Sequence, residues 1–272
     1  MTHTPRSTHL LEREVGRGVF GSDIAGYHSA RVAYADALID QIMAYCNTPA
    51  AKVVEIGPGT GLATQALLAR DISALVALEP DARLADHLST QFADDRVTVV
   101  ADGFLEADVA GGFDLVCSAC AFHWINPEAG LAKVRQVLRP GGAVALVWHS
   151  YRNPGVDPFY AALRPHLEGI ALPPSEGENG YVYLDAEGTG AMFAAAGLTD
   201  ITFAVHRTER MLDAAQMCAL YDSFSFVRVL PEPTRAALLQ TITRIVTDEF
   251  GGLAPNIVLS PLHLARSPAV PA

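Results

Sequence analysis

This chain lacks any apolar run approaching the ~20 residues that a membrane-spanning helix needs. Its first residues, Met-Thr-His-Thr-Pro-Arg, carry no apolar signal core. Basic residues are scarce: 19 Lys and Arg stand against 30 Asp and Glu, for a formal net charge of −11. That balance argues against nucleic acid as a partner, because neutralising phosphates takes clustered cations, and against an anionic membrane surface for the same reason. The expectation is a cytoplasmic protein that works on a small molecule, as a monomer or homodimer. Cysteine is also sparse, with four residues. Cys117-Ser-Ala-Cys120 has redox spacing, but Cys117 closes an apolar strand and does not open a helix, where a thiol pKa is lowered. Neither Cys46 nor Cys218 supplies the second pair that a zinc site needs. No Asp, Asn or His cluster suggests a hard-metal site, so the expected metal content is none.

What the chain does have is a core. Half of its 272 residues are hydrophobic, enough for one large domain with insertions. Its most informative segment is Val53-Val-Glu55-Ile-Gly57-Pro-Gly59-Thr-Gly61. An apolar run, alternate glycines and then helically spaced Leu62, Ala66 and Leu67 spell strand, tight turn and helix. Glycines let a ligand lie against backbone, at the strand end where open α/β sheets bind ligands. A dinucleotide fingerprint requires glycine at the sixth position, and Leu62 stands there. Glu55, two residues ahead of the first glycine, is poorly placed for a pyrophosphate and well placed for an ammonium.

The rest alternates. Apolar strands are predicted at 52–56, 74–79, 96–101, 113–118 and 142–149, with helices at 29–46, 61–70, 81–92 and 127–138. Such alternation implies a mainly parallel sheet covered on both faces. The rhythm breaks over 151–190, which holds several prolines and one short predicted helix near 158–169. A helix at 186–196, a strand at 199–207, helices at 213–222 and 232–250 and a strand at 256–264 follow. Pro261 puts that last strand at or near a sheet edge. The organisation read from this is an arm at 1–26, one domain at 27–265 with insertions at 151–190 and 208–254, and a disordered tail at 266–272.

Two further strand ends carry acids. Glu79, about twenty residues past the glycine loop, stands where a ribose diol is held, and Pro80 follows it. The next strand ends at Asp102-Gly103-Phe104. With the glycine loop, these motifs resemble those of the class I S-adenosylmethionine-dependent methyltransferases. The resemblance implies a Rossmann-like three-layer sandwich with a seven-stranded sheet of order 3-2-1-4-5-7-6 and the last strand antiparallel. It implies S-adenosyl-L-methionine as cofactor, with its amino-acid group near Glu55, Gly57, Gly59 and Gly61. Glu79 would take the ribose, while Asp102, the Gly103 N–H and the Phe104 side chain would meet the adenine.

Ala121-Phe-His123-Trp124 resembles the "AFHW" segment of a small-molecule subfamily related to trans-aconitate and natural-product methyltransferases. Tyr27-His-Ser-Ala-Arg31-Val-Ala-Tyr34 and Ser223-Phe-Ser-Phe resemble two more of its segments, with Val32 and Ala33 where a Pro-containing stretch is usual and Cys120 in place of a common Gln. Tyr27, Arg31 and Ser118 join the expected cofactor contacts. Methyl transfer asks chiefly for alignment and exclusion of water. His123 is the candidate general base, with His28 and His149 second. Phe20, Trp124, Tyr151, Tyr181, Tyr221 and Phe224 are the candidate substrate contacts, implying an apolar or aromatic metabolite. The alternative reading is a non-catalytic partner protein that binds the cofactor or its demethylated product.

Overall fold

The computed structural model describes residues 24–171, 176–177 and 180–269. In chain order the elements are α1 (Ile24–Ala30), α2 (Asp36–Cys46), β1 (Ala51–Ile56), α3 (Leu62–Leu68), β2 (Ile72–Leu78), α4 (Ala82–Gln91) and β3 (Val97–Val100). Next come β4 (Phe113–Ala119), a 3₁₀ turn at Phe122–Trp124, α5 (Pro127–Val137), β5 (Leu138–Val147) and α6 (Pro158–Leu163). A small hairpin at 176–181 precedes α7 (Ala186–Ala195), β6 (Thr199–Leu212), α8 (Ala214–Asp222), α9 (Ser225–Arg228), α10 (Glu232–Arg244) and β7 (Ala254–Arg266).

The sheet has seven strands in the order β3-β2-β1-β4-β5-β7-β6. β1 pairs in parallel with β2 and with β4, and β4 with β5, while β7 runs antiparallel to β5. The expected order and the antiparallel last strand are both present. Pairing starts from composition: β1 and β4 are almost continuously buried, as strands covered on both faces must be. One face packs Val53, Leu75, Leu115, Ala145 and Leu264 against Leu38, Ile39 and Ile42 of α2. Each fully buried Leu or Ile there contributes on the order of 1.5–3 kcal/mol.

Side chains set the helix starts. Asp81 caps α4 through the Arg83 N–H, and Asn126 caps α5 through Ala129 N–H with Pro127 in the first turn. Asp213 and Gln216 form a reciprocal capping box on α8. The predicted single helix at 29–46 is two helices, with Ala35 in extended conformation before α2. No Gly or Pro marks that break. β6 extends past its expected end to Leu212, and the helix predicted to reach 250 closes in a π turn at Ile245–Glu249. β7 is second from the edge: the Pro261 carbonyl accepts from Trp148 N–H.

The described residues fall into two compact units. One holds Val32–His149, Asp185–His206 and the residues from Ser260, and contains most of the sheet. The other holds the described parts of Met1–Arg31, Ser150–Leu184 and Arg207–Leu259, mostly helical. Within it, buried Asp157 caps α6 through Tyr160 N–H (3.0 Å) and also accepts from Ile257 N–H (3.0 Å). Burial raises its carboxyl pKa.

Candidate functional site

The three glycines after β1 all lie at positive φ, +64° for Gly57, +60° for Gly59 and +83° for Gly61. They serve different ends. A Cβ on Gly57 would lie 2.5 Å from the Ala121 Cβ, and one on Gly61 would lie 2.2 Å from the Phe92 ring. Both glycines therefore make room for the protein itself. Among the described residues, a Cβ on Gly59 would meet nothing within 4 Å. Gly59 alone leaves open space above the backbone, where a ligand can approach closely.

Glu55 is wholly buried on β1, and its Oε2 accepts from the Thr64 hydroxyl at 2.7 Å. The Thr64 N–H also bonds this carboxyl. Glu55 thus does for α3 what a capping side chain does elsewhere, since Gly61 at the cap position has none. Its Oε1 is buried with no hydrogen-bond partner among the described residues. Burial, and to a lesser extent the nearby Glu79, raise its pKa to about 7. Sequence reasoning missed Thr64, although a hydroxyl in the first turn after a strand acid was a usable signal.

Glu79 ties the loop to the end of β2. Its Oε2 accepts from Gly59 N–H and its Oε1 from Asp81 N–H, each at 3.0 Å. Gly57 N–H donates to the Leu78 carbonyl at 3.0 Å. A carboxylate is an acceptor only, so a ribose hydroxyl is a donor of the right kind for it. Pro80 is exposed beside it. Past β3, Asp102 Oδ1 accepts from Gly103 N–H at 2.8 Å, so the donor that the resemblance assigns to an adenine nitrogen here bonds its neighbour. Phe104 is buried, with the Lys133 ammonium 5.5 Å from its ring centre.

At the ends of β4 and β5, Ser118 is buried and donates to the Ile56 carbonyl at 3.2 Å. Cys120 takes a left-handed conformation (φ +57°), and its sulfur accepts from His149 N–H at 3.1 Å. His123 follows in the 3₁₀ turn, buried, with the Trp124 ring 4.6 Å away. Trp148, which sequence reasoning passed over, donates from Nε1 to His123 Nδ1 at 3.1 Å. His149 stacks on Tyr34 at 4.4 Å, and its Nδ1 lies 2.8 Å from the Ser260 hydroxyl.

Other expected site residues lie in the helical unit. The Arg31 guanidinium sits over Tyr27 (4.6 Å), Phe224 (4.3 Å) and Tyr151 (5.5 Å), and donates to the Ser223 carbonyl. Tyr151, Tyr221 and Phe224 are buried, and the two tyrosine rings each pack edge-on against Phe224. His28 is half-buried on α1. Phe20 and the side chain of Tyr181 lie outside the described residues. Cys117 is fully buried, which raises its thiol pKa and leaves it inert. Among the described residues no group of three or more His, Cys, Asp or Glu side chains could hold a metal.

The residues present fit an adenosyl amino-acid cofactor. Gly59 leaves its backbone open, Glu55 keeps an unpartnered buried oxygen, and acids stand at the ends of β2 and β3. Gly59 and Glu55 lie at the switch point between β1 and β4, and the two acids stand at the ends of the next two strands outward from it, β2 and β3.

Comparison with known proteins agrees. Residues 54–146 match the methyltransferase domain family. An uncharacterised methyltransferase of Mycobacterium tuberculosis is 32% identical over 133 residues, which cover 48% of this chain and 52% of that protein. The chain thus aligns with about half the length of that relative. A putative type II methyltransferase of Anaeromyxobacter dehalogenans superposes with a TM-score of 0.63 at 17% identity, covering 88% of this chain and 99% of that one. A phosphoethanolamine N-methyltransferase of Haemonchus contortus, solved with S-adenosyl-L-methionine, superposes with a TM-score of 0.57 at 13% identity, over 95% of this chain and 60% of that one. Residues 54–146, which hold the glycine loop and the acid-bearing strand ends, are thus similar to the methyltransferase domain family, and they lie on a sheet of order β3-β2-β1-β4-β5-β7-β6.

Proposed function

We propose that this protein binds S-adenosyl-L-methionine and transfers its methyl group to a small, largely apolar or aromatic metabolite at an O, N or C atom, in the cytoplasm. The observation that carries the reading is Gly59, whose open backbone lies at the sheet's switch point and is held there by Glu79. The cofactor supplies an electrophilic methyl carbon on a sulfonium sulfur that departs as a neutral thioether.

The chain's own residues bind and align. The amino-acid portion is assigned to the glycine loop and Glu55, the ribose to Glu79, and the adenine to Asp102, Gly103 and Phe104. Glu79 has two tasks, since it also fixes Gly59 N–H and Asp81 N–H. Asp102 accepts from Gly103 N–H, so adenine recognition through that N–H requires the side chain to turn. Trp124, half-exposed beside His123, is assigned to the acceptor. Holding two reactants in line contributes on the order of 7–11 kcal/mol at best, so positioning outweighs any proton transfer. An acidic protein with few cations suits a small acceptor better than a polyanion.

Titration calorimetry with S-adenosyl-L-methionine tests the first step. Saturable binding is expected, and no heat at millimolar ligand removes the proposal. Incubation with metabolite extract and labelled cofactor tests the second, with a methylated small molecule expected. Label recovered only in unreacted cofactor would leave the binding-protein reading.

A further inference from the structure

We propose that Trp148 is a positioning residue that holds His123 as the Nε2–H tautomer, which takes His123 out of the role of general base. Only its bearing on catalysis rests on the transferase reading above.

The geometry is specific. The indole Nε1 can only donate, and it lies 3.1 Å from His123 Nδ1. Nδ1 must therefore carry the lone pair, and the single proton of a neutral imidazole sits on Nε2. A doubly protonated ring would set one N–H against another at this distance. Trp148 is wholly buried, so its N–H cannot turn to solvent without losing its bond. The indole has little freedom to leave: its own backbone N–H donates to the Pro261 carbonyl at 3.2 Å, and His263 of β7 packs edge-on to it at 6.0 Å. On the other side, the 3₁₀ turn fixes the His123 backbone through Trp124 N–H to the Ala121 carbonyl (3.0 Å), and the Trp124 ring lies 4.6 Å from the imidazole.

A general base needs a lone pair aimed at the proton it removes. The lone pair on His123 is aimed at a buried indole. With Nδ1 taken up by the indole, Nε2 carries the ring's proton and can donate but not accept. A ring locked in this form suits an acceptor molecule whose reacting atom is already unprotonated, such as a carboxylate, or whose carbonyl or anionic oxygen takes a hydrogen bond. His123 then removes no proton from the acceptor.

Long-range ¹H–¹⁵N correlation on ¹⁵N-labelled protein at pH 7.5 reads the tautomer directly. His123 is assigned among the nine histidines by its loss in His123→Gln. A lone-pair shift at Nδ1 and a protonated shift at Nε2 are expected. A protonated Nδ1, alone or with Nε2, overturns the proposal. Trp148→Phe is expected to move both His123 nitrogen shifts toward the values of a tautomer mixture, and unchanged shifts in that variant also overturn it. Should Trp148→Phe fail to fold, the wild-type spectrum still decides. Adding S-adenosyl-L-methionine to the same sample keeps the two claims apart. Absence of any shift change across the spectrum counts against the transferase reading, while the tautomer is read before ligand is added.

Discussion

Two ends of neighbouring strands differ in how they build a site. At β1 and β2 the work is done by backbone: three glycines at positive φ, and N–H groups of Gly59 and Asp81 held on one carboxylate. At β4 and β5 it is done by side chains that meet across the sheet: Trp148 on His123, Tyr34 on His149 and His149 on Ser260. A backbone-built cradle depends on conformation and resists change of residue type. A side-chain cluster depends on pairs and can be retuned one pair at a time. The first is fixed by backbone geometry, and the second is open to change at each pair.

Mutations at the loop can break this contrast. Gly61→Ala should cost about 4 kcal/mol, combining left-handed strain with the collision on Phe92. Gly59→Ala should cost only about 1 kcal/mol of strain and yet weaken cofactor binding, because its Cβ enters the open space. Urea unfolding and calorimetry separate the two. Equal losses of stability would mean that the glycines do not have separate tasks.

Next comes Glu55. Its pKa is raised from 4.5 to about 7, mainly by burial. A carboxyl whose pKa is higher folded than unfolded contributes stability that is complete below about pH 4.5 and is lost as pH rises through about 7. Its contribution should therefore fall by about 3 kcal/mol across that window, and Glu55→Gln should flatten that part of the stability profile. An unchanged slope would show that Glu55 is not the titrating group.

Glu79→Ala should weaken cofactor binding about 10- to 100-fold, from the loss of charge-assisted bonds, with the fold retained by circular dichroism. Unchanged affinity would confine Glu79 to its loop contacts. The smallest effect is expected at Asp81, where alanine removes the α4 cap and a surface ion pair with Arg83, for about 1 kcal/mol by urea unfolding and little change in binding. A large loss of affinity there would extend the site beyond Glu79.

Much of the loop end was legible because its signals are local. Glycine spacing, a strand acid and apolar runs lie within nine residues of one another, and the strand order followed from alternation and from the resemblance. The separate tasks of the glycines were not legible, since Ala121 and Phe92 are distant in sequence. Nor was the Trp148–His123 bond, whose partners are 25 residues apart on different strand ends. The break before α2 was hidden because Ala35 carries no turn signal. Tyr151, Tyr221 and Phe224 were legible as aromatics, but not as neighbours around Phe224, because only packing brings residue 151 to it.

The placement of Trp148 also has an optical consequence. The chain has two tryptophans, Trp124 and Trp148, and both adjoin the same imidazole. All indole emission therefore originates beside one histidine, and nearly all of the molecule is dark to it. Intrinsic fluorescence in this protein is a local gauge of the β4–β5 strand ends, ready-made for following an acceptor molecule without any label.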